Sequence, residues 1–178
     1  TGNSPYLTFE WKTDNESKYH EVQTRLIGEY NFPNALAAVT IGHFFGVEPE
    51  KIDKALAGYT PQNNRSQLKK TADNTLIIDA YNANPTSMMA SISNFRNMQA
   101  ENKMLILGDM RELGKDSADE HQKIADYLEE CGFKDVVLVG ELFAATRHSY
   151  QSYPDVTALI AELQREKPCG KTILIKGS

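Results

Sequence analysis

The chain has 178 residues, 40% hydrophobic and 24% charged, which is enough apolar content for one medium domain or a small domain carrying part of another. A formal charge of -5 and an isoelectric point near 5.4 argue against nucleic acid or an anionic membrane as the main partner, and no run approaches the ~20 apolar residues of a membrane span. Cys131 and Cys169 have no metal-ligand spacing, so two free thiols in a reduced, cytoplasmic protein are expected; a basic-then-apolar leader pattern is absent, and any secretory address would lie outside this chain.

Residues 1 to 27 hold two alternating stretches, Tyr6 to Trp11 and Glu21 to Ile27, separated by a charged turn around Asp14-Asn15-Glu16, and read as antiparallel strands. Asn34 is expected to cap a helix in which Ala35, Ala38, Val39, Gly42 and Phe45 share a face and which stops at Gly46; a shorter helix follows from Pro49 to Ala57, ended by Gly58. Tyr59 to Asn64 is polar and turn-forming, which places a domain division near residue 60, with residues 1–60 on one side and 61–178 on the other. Beyond it the pattern alternates. Strands are expected at Thr75 to Ile78, Met104 to Leu107, Val136 to Val139 and Thr172 to Ile175, with helices from Pro85, from Ser117 and before the last strand. Ser117 and Glu120 have capping-box spacing, and Ile124, Leu128 and Cys131 form an apolar stripe. The order predicts an α/β fold of Rossmann-like character, a mostly parallel sheet with helices on both faces.

The apolar strands are followed at once by Asp79, Gly108-Asp109, Gly140-Glu141 and Lys176-Gly177-Ser178. In a parallel sheet these positions line one edge, the usual crevice for a nucleotide or small substrate. Ordinary loop polarity explains any one of them; the four together point to a site. The segment Asp79-Ala80-Tyr81-Asn82-Ala83-Asn84-Pro85 is the richest, with an acid and two amides at a strand end, Asn84 as a helix cap and Pro85 at the first helical position. No G-x-G-x-x-G follows a strand, and Gly170-Lys171-Thr172 precedes a strand instead of opening a helix, so neither a nicotinamide fingerprint nor a P-loop is present. Asn31 and Asn34 offer donors and acceptors suited to a purine edge or, equally, to a turn and cap. Arg65 suits a phosphate or a bare surface position. His121 reads as a structural histidine on the packed stripe.

Several segments together resemble the Mur ligase family: Leu26 to Ala38, the Asn64-Arg65 step, Asp79 to Met88, Leu107 to Gly114 and Ile175 to Ser178. The Tyr81-Asn82 step and the Gly108-Asp109-Met110-Arg111-Glu112-Leu113-Gly114 run are most like the MurF type, which joins D-alanyl-D-alanine to UDP-N-acetylmuramoyl-tripeptide. The resemblance implies the tail of a central ATPase domain over 1–60, then a Rossmann-like C-terminal domain over 61–178. It implies ATP and Mg2+ as cofactors, a monomer, and amide formation through an acyl phosphate in peptidoglycan precursor synthesis. By resemblance, Asn31 and Asn34 face the adenine, Arg65 the terminal phosphates and Asp79 the ribose, while Asn82, Asn84, Asp109 and Ser178 belong to the dipeptide side. The alternatives are another Mur or folylpolyglutamate-type ligase and a non-catalytic nucleotide-binding module. Without a P-loop, this chain alone is expected to be inactive.

Overall fold

The computed structural model describes residues 2–3 (backbone only), 5–14, 16–62 and 64–178. Asn15 of the expected turn and Asn63 of the expected boundary segment lie outside the described residues. The chain divides into two compact units, Thr1–Gln62 and Asn63–Ser178.

In the first unit, β1 (Gly2–Asn3), β2 (Tyr6–Trp11) and β3 (His20–Ile27) form an antiparallel sheet in that order. Period-two alternation buries Leu7, Phe9 and Trp11 of β2 and Val22 of β3, which pack in one core cluster with Ala35, Val39 and Ile52. The register slips between Tyr6 and Thr8, and the Thr24 hydroxyl fills the irregularity by donating to the Leu7 carbonyl at 2.8 Å. The two helices are α1 (Phe32–Phe44) and α2 (Pro49–Gly58). Gly42 lets them approach closely, since a Cβ there would stand 3.1 Å from the Ile52 side chain.

Two expectations about α1 are corrected. Asn34 lies within the helix, because a 3-10 turn, Glu29–Asn31, leads into it and puts Asn31 at the cap position. The shared face is narrower than expected: Ala35 and Val39 are buried, but Ala38 is exposed and Phe45, at the C-cap, is 76% exposed.

The second unit is a six-stranded sheet in the order β4-β5-β9-β6-β7-β8. Its strands are β4 (Gln67–Lys70), β5 (Thr75–Asp79), β6 (Lys103–Gly108), β7 (Val136–Val139), β8 (Gln151–Tyr153) and β9 (Thr172–Lys176). Only β4 is antiparallel to its neighbour. The helices are α3 (Pro85–Asn97), α4 (Ser117–Glu130), α5 (Glu141–Ala144) and α6 (Val156–Arg165). Met104, Ile106, Val137, Val139 and Ile173 form one core face with Leu159 of α6. The alternate buried residues Leu105, Leu107, Leu138 and Leu174 turn to the other face, the side of α3 and α4, whose Met88, Ile92, Phe95, Ile124 and Leu128 are buried. A mixed α/β fold with a mostly parallel sheet is therefore what these residues build.

The sequence pattern misses β4 and β8, both short and at the sheet's edges. It also assigns a capping box to Ser117 and Glu120 that does not form. A 3-10 turn, Gly114–Asp116, precedes α4, so Ser117 is already helical, and Glu120 pairs with Lys123 instead.

Candidate functional site

The strands β5, β9, β6 and β7 run parallel, so their carboxyl ends come out side by side: Asp79 is in register with Lys176, Leu107 with Lys176, and Gly108 with Val139. Two glycines meet in the middle of this edge. A Cβ on Gly177 would stand only 3.0 Å from the Gly108 Cα, whereas one on Gly108 would meet the Gly177 Cα at an ordinary 3.5 Å, so Gly177 is the glycine this close approach requires.

Asp79 ends β5 and accepts four hydrogen bonds. Its Oδ1 takes the Ser66 N–H at 3.1 Å and the Ser66 hydroxyl at 3.4 Å; its Oδ2 takes the Ser91 hydroxyl at 3.0 Å and the Lys176 ammonium at 2.8 Å. The pair is unequal in its access to water: the Lys176 side chain is 2% exposed and the Asp79 side chain 15%. Lys176 Nζ also donates to the Asn82 carbonyl at 3.3 Å, tying the loop after β5 back to β9. Ser66 and Ser91 do not stand out in the sequence. The one signal was Lys176, a lysine closing an otherwise apolar strand, which needs a carboxylate when buried.

Asp109 follows β6 and makes a different set of bonds. Its carboxylate receives the N–H groups of Leu142 at 3.1 Å and Phe143 at 2.9 Å, at the N-terminus of α5. Gly140 makes room for it, at φ 122°, where a Cβ would fall 2.2 Å from the carboxylate. His121 is fully buried beside this turn. Its Nε2 accepts the Met110 N–H at 3.0 Å, which leaves the ring proton on Nδ1, donated to the Ser117 carbonyl at 2.7 Å. That tautomer makes His121 a brace for the loop, as the sequence suggested.

The remaining candidates have bonds of their own. The Asn82 side-chain oxygen accepts the Ala83 N–H at 2.8 Å, and its amide lies exposed. Asn84 caps α3 in a reciprocal box with Ser87: its Oδ1 takes the Ser87 N–H at 2.8 Å and its N–H donates to the Ser87 hydroxyl at 3.1 Å. Ser178 donates from its hydroxyl to the Asp109 carbonyl at 3.1 Å and accepts the Arg111 N–H at 2.9 Å. In the first unit, Asn31 is buried and donates to the Ile27 carbonyl at 2.8 Å, and Asn34 donates to the Asn31 side-chain oxygen at 3.2 Å.

Arg65 stands beside Asp79. Asn64 and Ser66, its neighbours, both hold positive φ, 58° and 47°, and the turn presents the guanidinium over the Tyr81 ring, 3.7 Å from its centroid. Arg65 makes no ion pair among the described residues. An arginine stacked by its face keeps the N–H donors at its edge, the geometry that suits a phosphate or carboxylate.

The family model described as Mur ligase, glutamate ligase domain, matches residues 64–178. The chain belongs to the Mur ligase family. Over 164 residues it is 34% identical to the UDP-N-acetylmuramoyl-tripeptide:D-alanyl-D-alanine ligase of Bacillus subtilis, covering 86% of this chain and 36% of that one. The solved MurF of Acinetobacter baumannii aligns over 98% of this chain and 39% of its own, with a TM-score of 0.78 and 28% identity. The Thermotoga maritima MurF, solved in complex with ADP, has a TM-score of 0.76 over 98% of this chain and 43% of its own; at 16% identity it shows the fold alone. This Mur ligase chain thus spans little more than a third of the length of the curated relatives it matches.

Among the described residues, no group of three His, Cys, Asp or Glu side chains is placed to hold a metal ion, and no helix is long and apolar enough to cross a membrane.

Proposed function

We propose that this chain is the C-terminal part of a monomeric, cytoplasmic, ATP-dependent ligase that adds D-alanyl-D-alanine to UDP-N-acetylmuramoyl-tripeptide, with residues 1–60 the tail of its central ATPase domain and 61–178 its C-terminal domain. The observation that carries this reading is the cationic edge of Arg65 beside Asp79, in a chain whose likeness to a dipeptide-adding ligase runs over 86% of its residues. The tripeptide carboxylate attacks the terminal phosphorus of ATP and ADP leaves. The dipeptide amine then attacks the acyl carbon, the acyl C–O bond breaks as phosphate leaves with its electron pair, and the proton lost from the amine passes to solvent.

The chain's own residues bind and orient. Arg65 directs its N–H edge at the terminal phosphates, where charge accumulates as phosphoryl transfer proceeds. Asp79 meets the ribose hydroxyls through Oδ1, whose 3.4 Å contact with the Ser66 hydroxyl is its longest and the first to yield. Asn31 and Asn34 serve the adenine. Asn82 and Asn84 offer amide N–H groups to the dipeptide carboxylate, and Asp109 and Ser178 shape that side by fixing the loop after β6. Mg2+ would neutralise phosphate charge, but the described residues provide no ligand set for it and no step is routed through it.

Phosphate release by the full-length protein tests the reading. With ATP, Mg2+ and UDP-N-acetylmuramoyl-tripeptide, release should require D-alanyl-D-alanine; equal release with L-alanine or L-glutamate would assign another acceptor, and nucleotide binding without release would leave a binding module. Arg65→Ala should depress turnover about a hundredfold with little change in folding. The present chain by itself should release no phosphate above background.

A further inference from the structure

We propose that Tyr81 is a positioning residue for Arg65, a ring that holds the guanidinium by its face so that its donor edge is already turned outward before any phosphate arrives. The proposal rests on the reading of Arg65 as a phosphate ligand and adds a residue to it.

Tyr81 is 59% exposed, so the ring is not there to fill a core. It is nevertheless anchored from both sides. Two residues before it, Asp79 is fixed to Ser66, Ser91 and Lys176; one residue after it, the Asn82 carbonyl receives the Lys176 ammonium. Arg65 is anchored by the same carboxylate, since Ser66, the next residue, donates its backbone N–H to Asp79. One aspartate therefore ties together the segments that carry the cation and the ring, and the two side chains meet at 3.7 Å.

The stack solves a problem specific to this place. A flexible arginine next to a carboxylate would fold onto it, and Asp79 stands nearby. Here Asp79 already has four donors, and the guanidinium lies on a π face instead. With its central carbon 3.7 Å from the ring centroid, the guanidinium still has N–H groups at its rim for an anion. The tyrosine hydroxyl plays no part in this, so phenylalanine should serve as well.

The test pairs a structural readout with a kinetic one. In the 178-residue chain, the NMR resonance of the Arg65 Nε–H group should carry a ring-current displacement that persists in Tyr81→Phe and disappears in Tyr81→Leu. In the full-length ligase, Tyr81→Leu should lower kcat/KM for ATP roughly two- to fivefold, the worth of an exposed cation–π contact, with KM for the dipeptide unchanged and Tyr81→Phe within error of the parent. An Arg65 resonance indifferent to Tyr81→Leu would overturn the stack, and a displaced resonance with unchanged ATP kinetics, or a change confined to the dipeptide, would overturn the positioning role. If Arg65→Ala itself leaves turnover intact, the phosphate role of Arg65 fails first, and the positioning role fails with it.

Discussion

Asp79 and Asp109 hold equivalent places, each at the carboxyl end of a parallel strand beside β9, yet they do different work. Asp79 gathers donors from three separate elements: the segment before β4, helix α3, and β9. Asp109 receives two successive backbone N–H groups at the start of α5, so it caps a single helix end, with His121 Nε2 3.8 Å away. The first arrangement ties three elements together and leaves Arg65 presented; the second fixes the backbone of one helix end. Position at a sheet's edge thus marks where a site can be built, and the partner set decides which acid organises it.

The sharpest way to break this contrast is to remove each acid's specific requirement. Asp79→Ala strands the Lys176 ammonium, 2% exposed, with only a carbonyl for company, and should cost about 3–5 kcal/mol of stability in urea unfolding. Lys176→Met should cost less, about 1–3 kcal/mol, because Asp79 keeps three donors and some access to water. Equal losses would mean that the pair is not organised as described. On the Asp109 side, Gly140→Ala forces a Cβ into the carboxylate at a φ of 122° and should cost roughly 3 kcal/mol by the same measurement. A neutral substitution there would show that Asp109 is free to move.

A third carboxylate, Asp53, extends the comparison to a partner that titrates. It accepts the Trp11 indole N–H at 2.8 Å and pairs with His20 Nδ1 at 2.8 Å, while Glu16 lies 3.4 Å from the other ring nitrogen. The hydrogen bond that His20 donates to the Asp53 carboxylate is the main reason the imidazole pKa stands above its ordinary 6.5, despite the opposing effect of burial. A raised folded pKa means that His20 stabilises the first unit fully below about pH 6.5 and that this contribution is lost as pH rises through the folded value. Thermal unfolding at pH 6.0 and 8.5 should show the effect, the smallest of these, and His20→Gln should flatten it; an unchanged slope would remove the histidine from the clasp.

What could be read in the sequence follows from how far apart the interacting residues are. The cap at Asn84 and the alternation in β2 depend on neighbours a few residues away, and both were legible. The strand ends were legible too, because a short apolar run cut off by Asp or Gly fits a buried strand leaving its sheet better than it fits a helix. The partners of Asp79 were not, since Ser66 and Ser91 lie 13 and 12 residues away and Lys176 lies 97 away, and no local pattern encodes that convergence. The strands β4 and β8 escape notice because short, polar edge strands lack the alternation that marks a half-buried one. Asn34 misleads for a local reason: the 3-10 turn starts the helix earlier than the position of that asparagine suggests.

The most direct measurement is kcat/KM for ATP in the full-length ligase carrying Asp79→Asn or Asp109→Asn, each normalised to its folded fraction. The partner sets predict a loss of roughly tenfold or more for Asp79→Asn, the worth of a charge-assisted hydrogen bond, and a change within about twofold for Asp109→Asn, which keeps one of the two accepting oxygens at the helix end. Equal losses, or a larger loss at Asp109, would contradict the assignment of Asp79 as the acid that organises the nucleotide edge.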